Sequence, residues 1–290
     1  MSPPGRPTDL LTSPDRHVLQ PYTIITSPGP VSAASLYPFY ELSEPSTTLL
    51  LSSIRDHPIR LHNALQTQQA ASYPLIHAPT ETHITPNSLL FTPSGSHFIA
   101  GSRDLLSCFD INRPGQGPVE SYPTISNKRN KISIGEPGVK GVISTMSISS
   151  EGVLAAGTFS RQIGLYSDEG RGGCISVFSL RQESAITGSG ITQTAWSPDG
   201  RYLFVAERMS DSILVYDIRV EGKLLGQLTG RKAMTQQRLG FDVVPTEGGL
   251  EIWTGGTDGI VRVWQEPHVL EGSSSPSFEW KAHGGKHDGS

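Results

Sequence analysis

The sequence predicts an all-β protein, a propeller of about five recognisable four-stranded blades. Three observations predict it. Glycine and proline supply 31 and 22 of the 290 residues. Both interrupt helices, and both suit short strands joined by tight turns. A glycine turn recurs at a near-constant interval. After each turn come two short apolar runs separated by a polar turn, the pattern of a repeated strand unit.

Taken in order, residues 1–30 carry Pro3, Pro4, Pro7, Pro14, Pro21, Pro28 and Pro30. Proline fixes φ and removes a backbone donor, so this stretch reads as a flexible leader with room for one strand near Tyr22–Thr26. The repeats follow over residues 31–283. The first copy lacks the glycine turn and sets its strands at Leu36–Tyr40, at Thr47–Ser52 and at the end of Arg55-Asp-His-Pro-Ile-Arg-Leu-His62. The next four carry Phe91-Thr-Pro-Ser-Gly95, Ile148-Ser-Ser-Glu-Gly152, Trp196-Ser-Pro-Asp-Gly200 and Val244-Pro-Thr-Glu-Gly248, with glycines 57, 48 and 48 residues apart. Each continues into a second strand (Phe98–Ser102, Val153–Gly157, Tyr202–Ala206, Leu250–Thr254) and a third (Leu105–Phe109, Gln162–Tyr166, Ser212–Tyr216, Ile260–Trp264). The polar residues 284–290 read as a flexible tail.

A period slightly above ~40–45 residues with four strands per unit reads as a WD-repeat β-propeller. One blade cannot bury both of its faces alone, and stacking blades around an axis buries them against one another. Asp56, Asp104, Asp211 and Asp258 fall in the turn before the third strand, where an acidic residue of a WD repeat bonds backbone amides and fixes the turn. The third copy has Ser160 there.

Composition narrows the function. The formal charge is −4, from 27 acidic and 23 basic residues, which excludes a globally basic nucleic-acid binder but not a local basic face. Arginine outnumbers lysine 16 to 7, and a guanidinium offers a planar fork for phosphate and a flat face for bases. No run of 18 apolar residues is present, so no membrane span is expected. Cys108 and Cys174 are too few for a disulfide framework or a zinc site. There is no Gly-x-Ser-x-Gly elbow and no Walker loop. His283 and His287 stand in a glycine-rich tail that opposes the helix a metal pair would need. No enzyme, cofactor or metal is therefore expected.

Longer stretches carry a resemblance. Asp56-His-Pro-Ile-Arg60, Arg113-Pro-Gly115, Gly141-Val-Ile-Ser, Ser160-Arg-Gln-Ile-Gly-Leu-Tyr166, Asp217-Ile-Arg219 and Thr235-Gln-Gln-Arg-Leu-Gly-Phe-Asp242 with Pro245-Thr246 resemble, in this order, the telomerase Cajal body protein family. These are WD proteins that bind the CAB box of small Cajal body RNAs, and a fungal branch tied to pre-mRNA splicing is similar. The resemblance covers roughly residues 31–282 and is most specific at Thr235–Asp242. It implies a nuclear, non-catalytic scaffold for small nuclear or telomerase RNA and its ribonucleoprotein. The alternative is a protein-interaction adaptor of the spliceosome without direct RNA contact. The family carries about seven blades, within the usual range of ~4–8, against about five here, which leaves closure of the ring open.

The candidate site is a ring of cations. The turn between second and third strands carries Arg55, Arg103, Arg161 and Arg208 in four successive copies. In WD propellers these turns share a face with the loops that link blades. Those loops hold Lys128, Arg129, Lys131, Lys140, Arg231 and Lys232. Such a ring would meet an RNA backbone with several cations at once. Tyr37, Tyr122 and Tyr166 are candidate stacking partners. The competing expectation is that each arginine pairs with its local aspartate or carbonyls and only stiffens its turn.

Overall fold

The computed structural model describes residues 21, 23–66, 68–125, 138–182, 187–220, 222–269 and 271–283. Five antiparallel four-stranded meanders follow one another along the chain. Blade 1 is β1 (Val31–Leu36), β2 (Leu49–Ile54), β3 (Ile59–Asn63) and β4 (Gln69–Tyr73). A small hairpin, β5 (Ile76–His77) and β6 (Thr82–His83), leads to blade 2: β7 (Ser88–Phe91), β8 (His97–Ser102), β9 (Leu105–Asp110) and β10 (Glu120–Pro123). Blade 3 is β11 (Ile143–Ile148), β12 (Leu154–Thr158), β13 (Gln162–Tyr166) and β14 (Cys174–Ser179). Blade 4 is β15 (Ile191–Trp196), β16 (Tyr202–Glu207), β17 (Ile213–Asp217) and β18 (Lys223–Leu228). Blade 5 begins with β19 (Phe241–Thr246), β20 (Gly249–Gly255) and β21 (Ile260–Gln265). The chain then leaves it so that β22 (Gly272–Ser274) pairs parallel with β18, and returns as the fourth strand β23 (Phe278–Lys281).

The inner strands β1, β7, β11, β15 and β19 pack in succession, which makes the array a propeller. Among the described residues no comparable packing joins β19 back to β1. Each pair of neighbouring blades encloses its own core. Leu51, Leu61, Tyr73, Phe98 and Phe109 fill the first interface, and Ile99, Leu106, Ile143 and Tyr166 the second. Leu165, Trp196, Leu203, Val205 and Leu214 fill the third, and Phe204, Val215, Phe241, Ile252 and Trp264 the fourth. Successive residues of a strand point to opposite faces. Phe98 and Ile99, or Leu214 and Val215, therefore serve different interfaces. This is why the middle strands read as continuous apolar runs rather than alternating ones.

Two sequence expectations are corrected. Residues 23–26 form no strand, and the first strand of blade 1 is Val31–Leu36, so Leu36–Tyr40 is the end of that strand and the turn after it. The hairpin β5–β6 and the parallel excursion of β22 have no counterpart in the repeat and were not expected.

Candidate nucleic-acid interface

The turns between second and third strands and the links between blades form one face, here the linker face, because they bond to each other. Asp104 Oδ1 accepts from Gly141 N at 2.5 Å, and Asp104 N donates to Gly141 O at 2.9 Å. Asp211 Oδ1 accepts from Ala233 N at 2.6 Å, and Arg231 N donates to Asp211 O at 3.0 Å. Asp258 instead accepts from Ile260 N at 3.2 Å and pairs with Arg262 at 2.6 Å. Asp56 is exposed, and its amide donates to Thr85 Oγ1 at 3.3 Å. Ser160 donates to Lys140 O at 2.5 Å. The remaining turns, between first and second and between third and fourth strands, form the opposite or hairpin face.

The four turn arginines are not equivalent. A tight turn between strands needs left-handed residues, and those are Asp56 (φ 59°), Asp104 (φ 56°), Arg161 (φ 64°) and Met209 (φ 51°). Arg55, Arg103 and Arg208 stand just before the left-handed residue; Arg161 is itself that residue. One place along the chain changes where the side chain goes. Arg161 reaches across to blade 4 and clasps the buried Glu207, Nε to Oε1 at 2.7 Å and Nη2 to Oε2 at 2.9 Å. Burial raises the Glu207 carboxyl above its ordinary range, and the Arg161 bonds pull against that shift.

Arg55 and Arg103 are exposed, as are Lys140 and Lys232, and none of them makes an ion pair among the described residues. Arg231 points inward and is 1 % exposed. Its Nε donates to Thr254 Oγ1 at 3.1 Å and its Nη2 to the carbonyls of Leu239 and Gly240. Burial lowers its pKa to about 10. It braces the link between blades 4 and 5 and presents nothing to solvent. Lys128, Arg129 and Lys131 lie outside the described residues.

Arg208 is half-buried and lies 4.8 Å from the ring centre of Phe159, in the turn of blade 3. Arg238, from the Thr235–Asp242 stretch, lies 5.5 Å from the same ring. Desolvation of its guanidinium, and after that the charge of Arg208, pull Arg238 below the ordinary arginine range. Neither Arg238 nor Phe159 is among the candidate site residues that the sequence pattern offers. Thr235–Asp242 was its most specific stretch and held the signal.

The candidate aromatics do not gather here. Tyr166 is buried in the second interface, where its hydroxyl accepts from Val139 N at 3.1 Å. Tyr37 packs edge-on against Phe91 at 5.3 Å and touches the Gly95 turn of the hairpin face. Tyr122, on the outer strand β10, donates to Glu120.

On the hairpin face each arginine is satisfied inside its own turn. Arg171 pairs with Asp168 at 3.0 Å, Arg201 with Asp199 at 3.6 Å and Arg219 with Asp217 at 2.8 Å. Arg113 donates to Gln116 Oε1 at 2.8 Å. Among the described residues no cluster of three or more His, Cys, Asp or Glu could hold a metal, and no helix is long and apolar enough to cross a membrane.

Comparison with known proteins fits this architecture. Guanine nucleotide-binding protein negative regulator 1 of Schizosaccharomyces pombe is 35 % identical over 84 % of this chain. Telomerase Cajal body protein 1 of Mus musculus is 30 % identical over 82 %. The chain is a WD-repeat homologue of the telomerase Cajal body proteins. This homologue is also 26 % identical, over 87 % of its length, to Protein SWT21 of Vanderwaltozyma polyspora. It spans 59 %, 41 % and 59 % of those three relatives, in the order given. No family model matches it. The WD40 repeats of RRP9 superpose on it with a TM-score of 0.57 at 11 % identity, covering 85 % of this chain and 63 % of that one, which shows the fold.

Proposed function

We propose that this WD-repeat homologue is a nuclear, non-catalytic scaffold that holds a small nuclear or Cajal body-type RNA, or a telomerase RNA particle, on its linker face. One observation carries the reading. Arg55, Arg103, Lys140, Arg208, Lys232 and Arg238 share that face, and none has a carboxylate partner among the described residues, whereas Arg171, Arg201 and Arg219 on the other face are all paired. Unpaired cations on one surface raise its potential and give a polyanion counterions to release. The resemblance to CAB-box RNA binders supports the choice of RNA as the polyanion. Arg161 and Arg231 are structural in this reading, because Glu207 and the carbonyls of the link hold them.

The test is a filter-binding series with small nuclear RNA at several salt concentrations. Affinity is expected to fall steeply with salt, by a log–log slope of about 0.7–0.9 per phosphate contact. Replacing Arg55, Arg103 and Lys140 together by glutamate should abolish binding while the melting temperature holds. The same change at Arg171, Arg201 and Arg219 should leave binding within a few-fold. Absence of saturable binding at low salt leaves the spliceosomal adaptor as the reading to pursue.

A further inference from the structure

We propose that Arg208 and Arg238, gathered on the ring of Phe159, form a grip for one phosphodiester of a single-stranded RNA. This rests on the reading of the linker face as an RNA surface and names the point of closest contact. Both guanidinium carbons lie within 5.5 Å of one phenyl centre, and neither residue has a carboxylate partner among the described residues. Two like charges on one apolar ring repel each other, and the arrangement becomes favourable once an anion sits between them. Arg208 Nε is buried and has no hydrogen-bond partner. A buried donor left unpaired is costly, and a phosphate oxygen is a strong acceptor for it.

The surroundings are shaped for this pair. A Cβ at Gly190 would press on the Phe159 backbone and ring edge at 3.1–3.3 Å, and one at Gly188 would strike the Glu207 carboxylate, so the Gly188-Ser-Gly190 link lets blades 3 and 4 approach closely here. Glu207, the nearby carboxylate that could neutralise the grip, is already clasped by Arg161 at 2.7 Å. The backbone fixes the turn as well: Arg208 N donates to Gly190 O at 3.0 Å, and Met209 N to Thr235 O at 3.0 Å in the stretch that carries Arg238. Blades 3 and 4 and the link to blade 5 thus each supply one part of the grip.

The experiment uses the full chain, a short oligouridylate followed by fluorescence anisotropy, and inorganic phosphate followed at the arginine Nε–Hε NMR signals. Arg238→Gln and Arg208→Gln are each expected to weaken RNA binding about tenfold and to lower the salt slope by about 0.7, the share of one single-strand phosphate. Phe159→Leu keeps both charges and should still weaken binding several-fold, because the ring that gathers the guanidiniums is gone. Arg238→Lys should recover only part of the loss, since a point charge lacks the fork. Inorganic phosphate should shift the Nε–Hε signals of Arg208 and Arg238 in the unaltered chain, a readout that needs no variant to fold. RNA binding that survives both glutamine changes in folded protein overturns the grip and leaves the scaffold standing. Phosphate shifts without any RNA binding overturn the scaffold and support the grip as an anion site. Neither signal overturns both.

Discussion

The two faces of this propeller use the same residue in opposite ways. On the hairpin face Asp168, Asp199 and Asp217 stand two or three positions from Arg171, Arg201 and Arg219, and each pair closes within its own turn. On the linker face two turn aspartates are spent on amides of the links, Asp104 on Gly141 N and Asp211 on Ala233 N, while Asp258 pairs with Arg262. The first two carboxylates fix the path of the chain between blades. A net charge of −4 therefore describes neither face. Acidic residues such as Glu41, Glu44, Glu151 and Glu247 lie in hairpin-face loops. Asp104 and Asp211 give their carboxylates to amides of the links and leave Arg103 and Arg208 without an acid partner among the described residues, whereas Asp199 and Asp217 hold both an amide of their own turn and its arginine.

The largest effect that would break this comparison is at Glu207. If Glu207 holds Arg161, removing the carboxylate takes a charge-assisted pair out of a largely buried place. Glu207→Ala should then cost about 3–5 kcal/mol, read as a large drop in melting temperature. Replacing both residues together, as Arg161→Met with Glu207→Leu, should restore most of that loss, because apolar groups of like volume avoid the cost of desolvating the pair. A Glu207→Ala protein that melts like the parent would mean that Glu207 does not anchor Arg161.

The next effect separates aspartates by face. Asp104→Ala removes the carboxylate acceptor of Gly141 N and should cost about 1.5–3 kcal/mol, the range of a bond to a charged group. Asp168→Ala breaks a pair whose carboxylate is well exposed and holds no backbone amide among the described residues, so its cost should stay below about 1 kcal/mol. Chemical denaturation of the two variants side by side measures this. Equal costs would mean that the linker-face aspartates do no more than the hairpin-face ones.

The array was legible in the sequence because propeller blades repeat their turn chemistry. The recurring glycine turns and the apolar runs after them locate the second and third strands almost to the residue. Leu105–Phe109 is observed as Leu105–Asp110, and Ser212–Tyr216 as Ile213–Asp217. The fourth strands were harder, since β14 (Cys174–Ser179) is only half-buried and β23 (Phe278–Lys281) mostly exposed, and neither has a continuous apolar run. The cation ring was legible only as composition. Sequence spacing set Arg161 beside Arg55, Arg103 and Arg208, but a one-residue shift into the left-handed position redirects it to Glu207. Arg231 looked like any link-region cation, and only packing turns it inward. Arg238 and Phe159 meet across sequence separations that no local pattern encodes.

The smallest effect is one of sign. Asp217 has its pKa lowered, first by the side-chain bonds from Arg219. A carboxyl depressed in the folded state adds stability above its unfolded value of about 3.9 and loses it as pH falls through the folded value. Glu207 has its pKa raised, first by burial. A raised carboxyl contributes below its unfolded value of about 4.3 and loses that contribution as pH climbs through the folded value. The two faces thus give stability limbs of opposite slope. Asp217→Asn should differ most from the parent at neutral pH and converge on it in acid, below about pH 4. Glu207→Gln removes the limb that weakens with rising pH, so acidification from neutral pH toward the unfolded value of about 4.3 should stabilise the parent relative to this variant. Denaturant midpoints taken across that range decide the matter. Parallel profiles for the two variants would mean that burial and ion pairing do not divide the carboxylates of the two faces as the geometry says.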